Sequence, residues 1–434
     1  MDSRHNRQPS GRTYDMPRCA SFVLSLLALL YSGLFVCKPS RASDLVLTHA
    51  KVYTSPTEKP IDDGTVVIHN GKIRTVGPSR TTKAPRFVRT VTVIDCTGMT
   101  ITAGFWNSHV HILTDGLLDA EHKTPASITG EMQKMFTQWG FTTVFDLASV
   151  LSNTNYIRRH IADGSIVGPR ILTVGEPFYG KGGTPIYVAP FLADHHVPSA
   201  EVDTIPEAIA RVHQQVRDGA DGIKIFAGSI ETGGVLLMRP DLAKAIVDAA
   251  HSEHRLVFSH PSTTEGVELS LDSGVDILAH VALMGGPWPP SLVQRMKTAH
   301  MSLVPTLTMF DVEAKKAKVS EQEDHEWMDL AVHQLQVFHE AGGEILFGTD
   351  VGYTDHYDTA EEYSLMQKSG MSFREILASL TTTPAQRFGY VHSGQIAKGM
   401  DADLAVLKSD PTADITALSH VAYTIRDGKI IYRH

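Results

Sequence analysis

The chain has 434 residues, enough for a large barrel plus a small additional domain. Its 42% hydrophobic and 20% charged residues are those of a globular protein. A formal charge of −9 excludes a basic footprint for nucleic acid, and 22 histidines make the placement of that residue worth tracing.

Residues 19–37, CASFVLSLLALLYSGLFVC, are a continuous apolar run after Arg18, followed by KPSRAS. Ser40-Arg41-Ala42 reads as a small-x-small cleavage site, so 1–42 is expected to be a secretory signal peptide and the mature protein exported, periplasmic or secreted. Met16 offers an alternative start. The competing reading is an uncleaved membrane anchor over 19–37, which is about the minimum length of a span. Val36 is not small, which argues against a lipid anchor at Cys37. Without 1–42 only Cys96 remains, so no internal disulfide can form.

Residues 43–103 read as short strands and turns. LVLTHAKVYT, GTVVIHNGKIRTVG and TVTVIDCTG alternate apolar and polar residues, with a hairpin signal at Asn70-Gly71. The last segment, 389–434, has the same texture, with Asp427-Gly428 at a hairpin. Two all-β pieces at opposite ends predict one small β domain, a β-sandwich formed by both termini.

Between them, over 104–388, strand-like and helical segments alternate. GFWNSHVHI, TTVFDLAS, RILTVGEP, GIKIFAG, LVFSHPS, DILAHVA, SLVPTLT and EILFGTDVG are eight short apolar runs. Thr204 to Glu207 reads as a capping box, with Ile209, Val212 and Val216 on one helical face, and Thr359 to Glu362 as a second. Gly219 and Gly274 suit helix C-termini. Eight βα units predict an α/β fold, a (β/α)8 TIM barrel. An open doubly wound sheet is the alternative, but there is no glycine-rich nucleotide loop to support it.

Barrel chemistry sits where strands end in loops. The first run ends in His109 and His111, which share a side of the strand while Val110 faces the helices. The fourth carries Lys224 inward between Ile223 and Ile225. The fifth ends in His260, the sixth in His280 and the eighth in Asp350. Taken singly, each has a plain reading: a strand histidine, a core histidine, a helix-capping aspartate, or a lysine paired with a carboxylate such as Asp146. Six such residues in one layer at five strand ends point to a metal site. A lysine buried among apolar strands is costly unless paired or neutral, and a neutral amine can take up carbon dioxide as a carbamate.

This constellation resembles the amidohydrolase superfamily of metal-dependent hydrolases over essentially all of 44–434. The flanks WGFTTVFDLAS, GVDILAHV, TTTPAQRFG and GQIAKGMDADLAVL are similar too. The subgroup it most resembles is that of imidazolonepropionase-like proteins and carbamylated-lysine Xaa-Pro dipeptidases. The resemblance implies two divalent metal ions. His109, His111 and Asp350 would hold one, and His260 and His280 the other. A CO2-derived carbamate on Lys224 and a hydroxide would bridge them. Zinc suits these donors, with manganese or cobalt as alternatives. It implies hydrolysis of an amide-like C–N bond, with Asp350 as the catalytic proton shuttle. Lactone or ester hydrolysis is the nearest alternative, and a non-catalytic metal-holding protein the more distant one. Relatives commonly have aspartate where this chain has Asn107, which can still accept a hydrogen bond but lacks the charge.

The expected partner is a small-molecule substrate, with no nucleic acid, a membrane only if 19–37 is retained, and a homo-oligomer as a possibility implied by relatives. In the loops, Tyr179, Lys181, Tyr187 and Tyr353 are candidate substrate contacts, with Tyr187 and Tyr353 foremost. His356 is a candidate pocket residue, and Arg239 a candidate partner for a substrate carboxylate or else half of a surface ion pair. His195, His196, His251 and His254 read as surface residues.

Overall fold

A computed structural model describes residues 44–82 and 91–434. The expected leader or anchor over 1–42 lies outside the described residues. Among those described, no helix is long and apolar enough to cross a membrane.

The eight apolar runs become eight parallel strands: Phe105–Val110, Phe141–Asp146, Arg170–Thr173, Gly222–Phe226, Leu256–His260, Ile277–Ala279, Ser302–Val304 and Glu344–Ile345. Strands one to three form one ladder and strands four to eight another. Two seams close the ring. Asp221 N donates to Thr173 O between strands three and four, at 2.7 Å. Ser108 N donates to Phe347 O, and Asp350 N to His109 O, between strands eight and one, at 2.7 and 2.9 Å. The closed ring rules out the open sheet.

Strand alternation sorts the core into two shells. Trp106, Phe145, Leu172, Phe258, Ile277, Val304 and Leu346 fill the barrel interior. Ile223, Ile225, Val257, Leu278 and Phe347 face outward, where they pack with helix residues such as Ile246 and Leu335. Just past the last α-helix, Thr382–Arg387, Phe388 stacks on Trp106 and Tyr390 meets it edge-on, and the two close the end of the barrel away from the ligand-bearing strand ends.

The two terminal pieces join in one continuous hydrogen-bonded sheet. Strands Asp44–Val52 and Thr100–Ala103 are neighbours, and Leu404–Leu407 pairs antiparallel with the latter. The sheet curls around its own apolar core, which includes Leu47, Val66, Ile101, Leu404 and the lone buried thiol Cys96. Asn70 (φ 50°) and Gly71 (φ 77°), like Asp427 (φ 50°) and Gly428 (φ 70°), are left-handed pairs that turn two-residue hairpins.

The capping box at Thr204 and Glu207 is present, and Gly219 and Gly274 are left-handed at helix ends. The box expected at Thr359 and Glu362 is not. Thr359 makes no side-chain cap for helix Ala360–Lys368. Glu362 instead crosses to a neighbouring helix, Leu307–Ala317, and accepts from Leu307 N at 2.9 Å and Thr308 N at 2.7 Å. It caps the element it packs against rather than the one that carries it.

Candidate metal centre

The ligand candidates gather at the C-terminal ends of the strands. His109 is fully buried, and His111 and Asp350 nearly so. Asp350 Oδ1 lies 3.2 Å from His109 Nε2 and 2.7 Å from His111 Nε2. His280 Nε2 is 3.9 Å from Asp350 Oδ2. The His280 ring centroid is 4.4 Å from that of His109 and 4.8 Å from that of His260.

Backbone irregularities deliver these side chains. On the first strand Trp106 packs inward and Val110 outward, although both are even-numbered. A bulge between Asn107 and Val110 shifts the alternation, which leaves His109 and His111 on the axial side. On the sixth strand Ile277 and Ala279 point inward, so alternation alone would turn residue 280 toward the helices. His280 adopts φ 96° instead, and its ring returns to the axis. Asp350 is also left-handed, with φ 61°.

Hydrogen bonds around the cluster assign its free lone pairs. His111 Nδ1 is 3.0 Å from the Ala148 carbonyl, which can only accept, so Nδ1 carries the proton. His111 Nε2 then faces Asp350 Oδ1 at 2.7 Å, a separation that requires a proton or a cation between the two. His260 Nε2 is 3.1 Å from Ser262 Oγ, which itself donates to Gly228 O, so His260 donates here and keeps Nδ1 as its lone-pair atom. His280 Nδ1 bonds Thr306 Oγ1 at 2.6 Å. Both ring nitrogens of His109 and Oδ1 of Asp350 are buried without a hydrogen-bond partner among the described residues. His109, His111 and Asp350 offer ligand atoms within 4.8 Å of one another, so the donor set fits a divalent cation.

The electrostatics favour metal-ready protonation states. Burial drives His109 and His260 down to about 3 and His280 well below its usual value, so all three are neutral donors. Burial would raise the Asp350 carboxyl, but the adjoining His109 and His111 outweigh it and hold Asp350 well below the usual carboxylate range. Burial lowers the Lys224 amine to about 8, partly opposed by the Asp350 charge. No hydrogen-bond partner for the Lys224 amine is found among the described residues. In particular Asp146 is taken by Ser149, Thr173 and the Ile112 N–H, so the plain lysine–carboxylate pairing does not form.

The sequence model of the amidohydrolase family matches residues 100–431, which span every strand of this barrel. The chain belongs to the amidohydrolase family. As such it is a hydrolase of carbon–nitrogen bonds. It is 24% identical to ochratoxinase of Aspergillus niger over 374 residues, covering 75% of this chain and 74% of that one. Among solved structures, a Xaa-Pro dipeptidase with bound methionine superposes with a TM-score of 0.77 at 24% identity, covering 90% of this chain and all of the other. Phenylurea hydrolase B gives a TM-score of 0.73 at 21% identity, covering 89% and 96%.

In this amidohydrolase the cluster of candidate ligands opens into a cavity of about 670 Å³. Tyr179, Tyr187 and Tyr353 line it, and the last two rings meet edge-on at 5.5 Å. Lys181 does not: it pairs with Asp203 at 2.7 Å on the surface. Arg239 pairs with Asp241 at 2.6 Å and borders a separate, smaller pocket. His356 is absent from the wall. His195, His196, His251 and His254 lie away from the site, with His251 bound to Asp276 at 2.8 Å. Asn107 orients the backbone rather than a histidine ring. Its Oδ1 accepts from His109 N (3.2 Å) and Thr349 N (3.3 Å), and its Nδ2 donates to Thr349 Oγ1 (2.8 Å).

Several wall residues escaped sequence reasoning. Phe310 and Glu313 come from helix Leu307–Ala317, and Trp327 from helix Glu321–Glu340. An irregular stretch, Pro305–Thr306, separates the seventh strand from the first of these helices. Met309, Phe310, Glu313 and Ala317 of that helix border the cavity. Its FDVEAKK segment carried no motif that could have signalled this.

Proposed function

We propose that this chain hydrolyses an amide-like C–N bond in a small, largely apolar molecule. The observation that carries the reading is the convergence of His109, His111 and Asp350, with ligand atoms within 4.8 Å of one another, at the floor of a cavity walled by aromatic rings. His109, His111 and Asp350 would hold one divalent ion, and His260 and His280 a second, with zinc the metal best suited to these donors. Bound ions would lower the pKa of water toward roughly 7 and polarise the scissile carbonyl.

The protein's own groups supply the rest. Lys224, with an amine near 8, keeps a neutral fraction that can react with carbon dioxide, and its carbamate would bridge the two ligand sets. Asp350, ionised and buried, takes a proton from the attacking water and passes it to the departing nitrogen. The apolar wall keeps bulk water from the charged groups. Water is consumed, the C–N bond breaks, and an acid and an amine leave. Two of the similar structures are named as a dipeptidase and a phenylurea hydrolase, which agrees with this bond class. The protein is further proposed to be exported after loss of 1–42, which N-terminal sequencing of the mature form checks.

The test is elemental analysis of the purified protein beside Lys224→Ala, with a panel of amides, dipeptides and lactones. About two ions per chain, falling in the variant, with amide cleavage, is the expected result. No bound metal after growth with zinc or manganese, or lactone cleavage alone, overturns it.

A further inference from the structure

Away from the ligand cluster, the cavity wall carries one charged side chain, Glu313. Its surroundings are aromatic: Phe310 on its own helix, Trp327, Tyr187 and Tyr353. No arginine lines this cavity among the described residues. Arg239 and Lys181, the nearby cations on the loops after the third and fourth strands, are both bound to carboxylates elsewhere. Lys224 is the only lysine in the wall, and on the reading above it becomes an anionic carbamate.

A free carboxylate on the substrate would therefore lose its water and meet, beside the repelling Glu313, only Lys316, a cation already engaged by Glu313 and the Tyr353 ring. A cation would meet the opposite conditions. Glu313 offers a carboxylate, and the aromatic faces attract positive charge. Its present partner is Lys316, which also lies 5.1 Å from the centre of the Tyr353 ring, so a ligand cation would take over both contacts. Lys316 lies one turn away on the same helix, 3.1 Å from Glu313 Oε1, and the two side chains are 49% and 32% exposed. Exposed pairs of this kind contribute little, so a ligand cation can replace Lys316.

We propose that Glu313 determines specificity: the preferred substrates of this site carry an ammonium or similar cationic group on the part remote from the scissile bond, and no free carboxylate. The proposal rests on the amide-hydrolase reading for its substrates, but not for its charge preference.

The experiment uses the full chain and three 4-nitroanilides that share a six-carbon acyl group: hexanoyl, 6-aminohexanoyl and 5-carboxypentanoyl. The kcat/KM is expected to fall in the order cation, neutral, anion, with roughly tenfold or more between cation and anion. Glu313→Gln should erase most of the cation-to-neutral ratio, and Glu313→Lys should reverse the order. Lys316→Met should keep it. A wild-type preference for the anion that Lys316→Met abolishes would assign the reading of charge to Lys316 and overturn the proposal. So would a cation preference that survives Glu313→Gln. If none of the three is cleaved, the activity reading fails separately. Calorimetric binding of 4-phenylbutylamine against 4-phenylbutyrate then decides the charge preference, with tighter binding of the acid overturning it.

Discussion

The terminal sheet and the ligand-bearing face of the barrel spend strained backbone differently. In the sheet, left-handed residues serve local geometry. Asn70 and Asp427 turn hairpins, and His49 (φ 60°) sits where the first strand's register shifts. On the barrel face the left-handed residues are Ser262, His280, Thr306 and Asp350 (φ 55°, 96°, 47° and 61°), and none is in a hairpin. Ser262 and Thr306 hydrogen-bond the rings of His260 and His280, and both His109 ring nitrogens and Asp350 Oδ1 have no hydrogen-bond partner among the described residues. One region is arranged for its own stability. The other accepts cost in order to aim side chains at a common point.

The contrast is sharpest in paired substitutions. His109→Ala or Asp350→Asn should lower kcat/KM by at least about three orders of magnitude, yet change the unfolding free energy of the metal-free protein by less than about 2 kcal/mol. Steady-state kinetics beside denaturant titration checks both. Leu404→Ala, fully buried in the sheet core, should do the reverse. It should cost about 2–5 kcal/mol of stability with kcat per folded molecule unchanged. A site variant that destabilises as much as Leu404→Ala would break the comparison.

Smaller effects refine it. Asn107→Ala removes the brace between the first and eighth strands behind His109 and should weaken metal binding about 10–100-fold by competition with a chelating dye. Burial lifts the Glu362 carboxyl to about 7, against the two backbone N–H bonds it accepts. Between pH 4.5 and 7 the folded protein thus retains a proton that the unfolded chain has released. Stability from this group falls as pH rises through that window, and thermal melts of Glu362→Gln should be flatter there than wild type. Gly71→Ala should have the least effect. It puts a side chain at φ 77° with its Cβ 3.0 Å from Asp427 O, and should cost about 1–2 kcal/mol in thermal unfolding with no change in turnover.

How far the sequence could be read follows from the range of each signal. Strand alternation and short turns are local, so the eight runs and both hairpins appear in the structure where the sequence placed them. Five of the six ligand candidates lie at or just past strand ends and Lys224 lies within the fourth strand, facing the axis, positions that a barrel brings together whatever the details. The resemblance to the amidohydrolase family pointed the same way. What was not legible depended on contacts between distant elements. Thr359 and Glu362 have the spacing of a capping box, as do Ser320 with Glu323 and Ser372 with Glu375, yet only the latter two pairs close. Glu362 is buried against another helix whose free N–H groups take it first. The turn at His280 breaks alternation without any glycine to announce it. Lys181 sat in an aromatic, glycine-rich loop that looked like a binding segment, but Asp203 across that loop holds it on the surface.

The seam between the first and eighth strands also bears on how the protein assembles. Asn107 and Thr349 are 242 residues apart, and the ligands on either side of them are similarly separated. The cluster therefore does not exist until the ring is complete, because its opening histidines wait for the aspartate on the final strand. Contacts so distant along the chain form late and slowly. An ion that recognises the whole set binds only the closed ring, so it acts on folding as a latch rather than a nucleus.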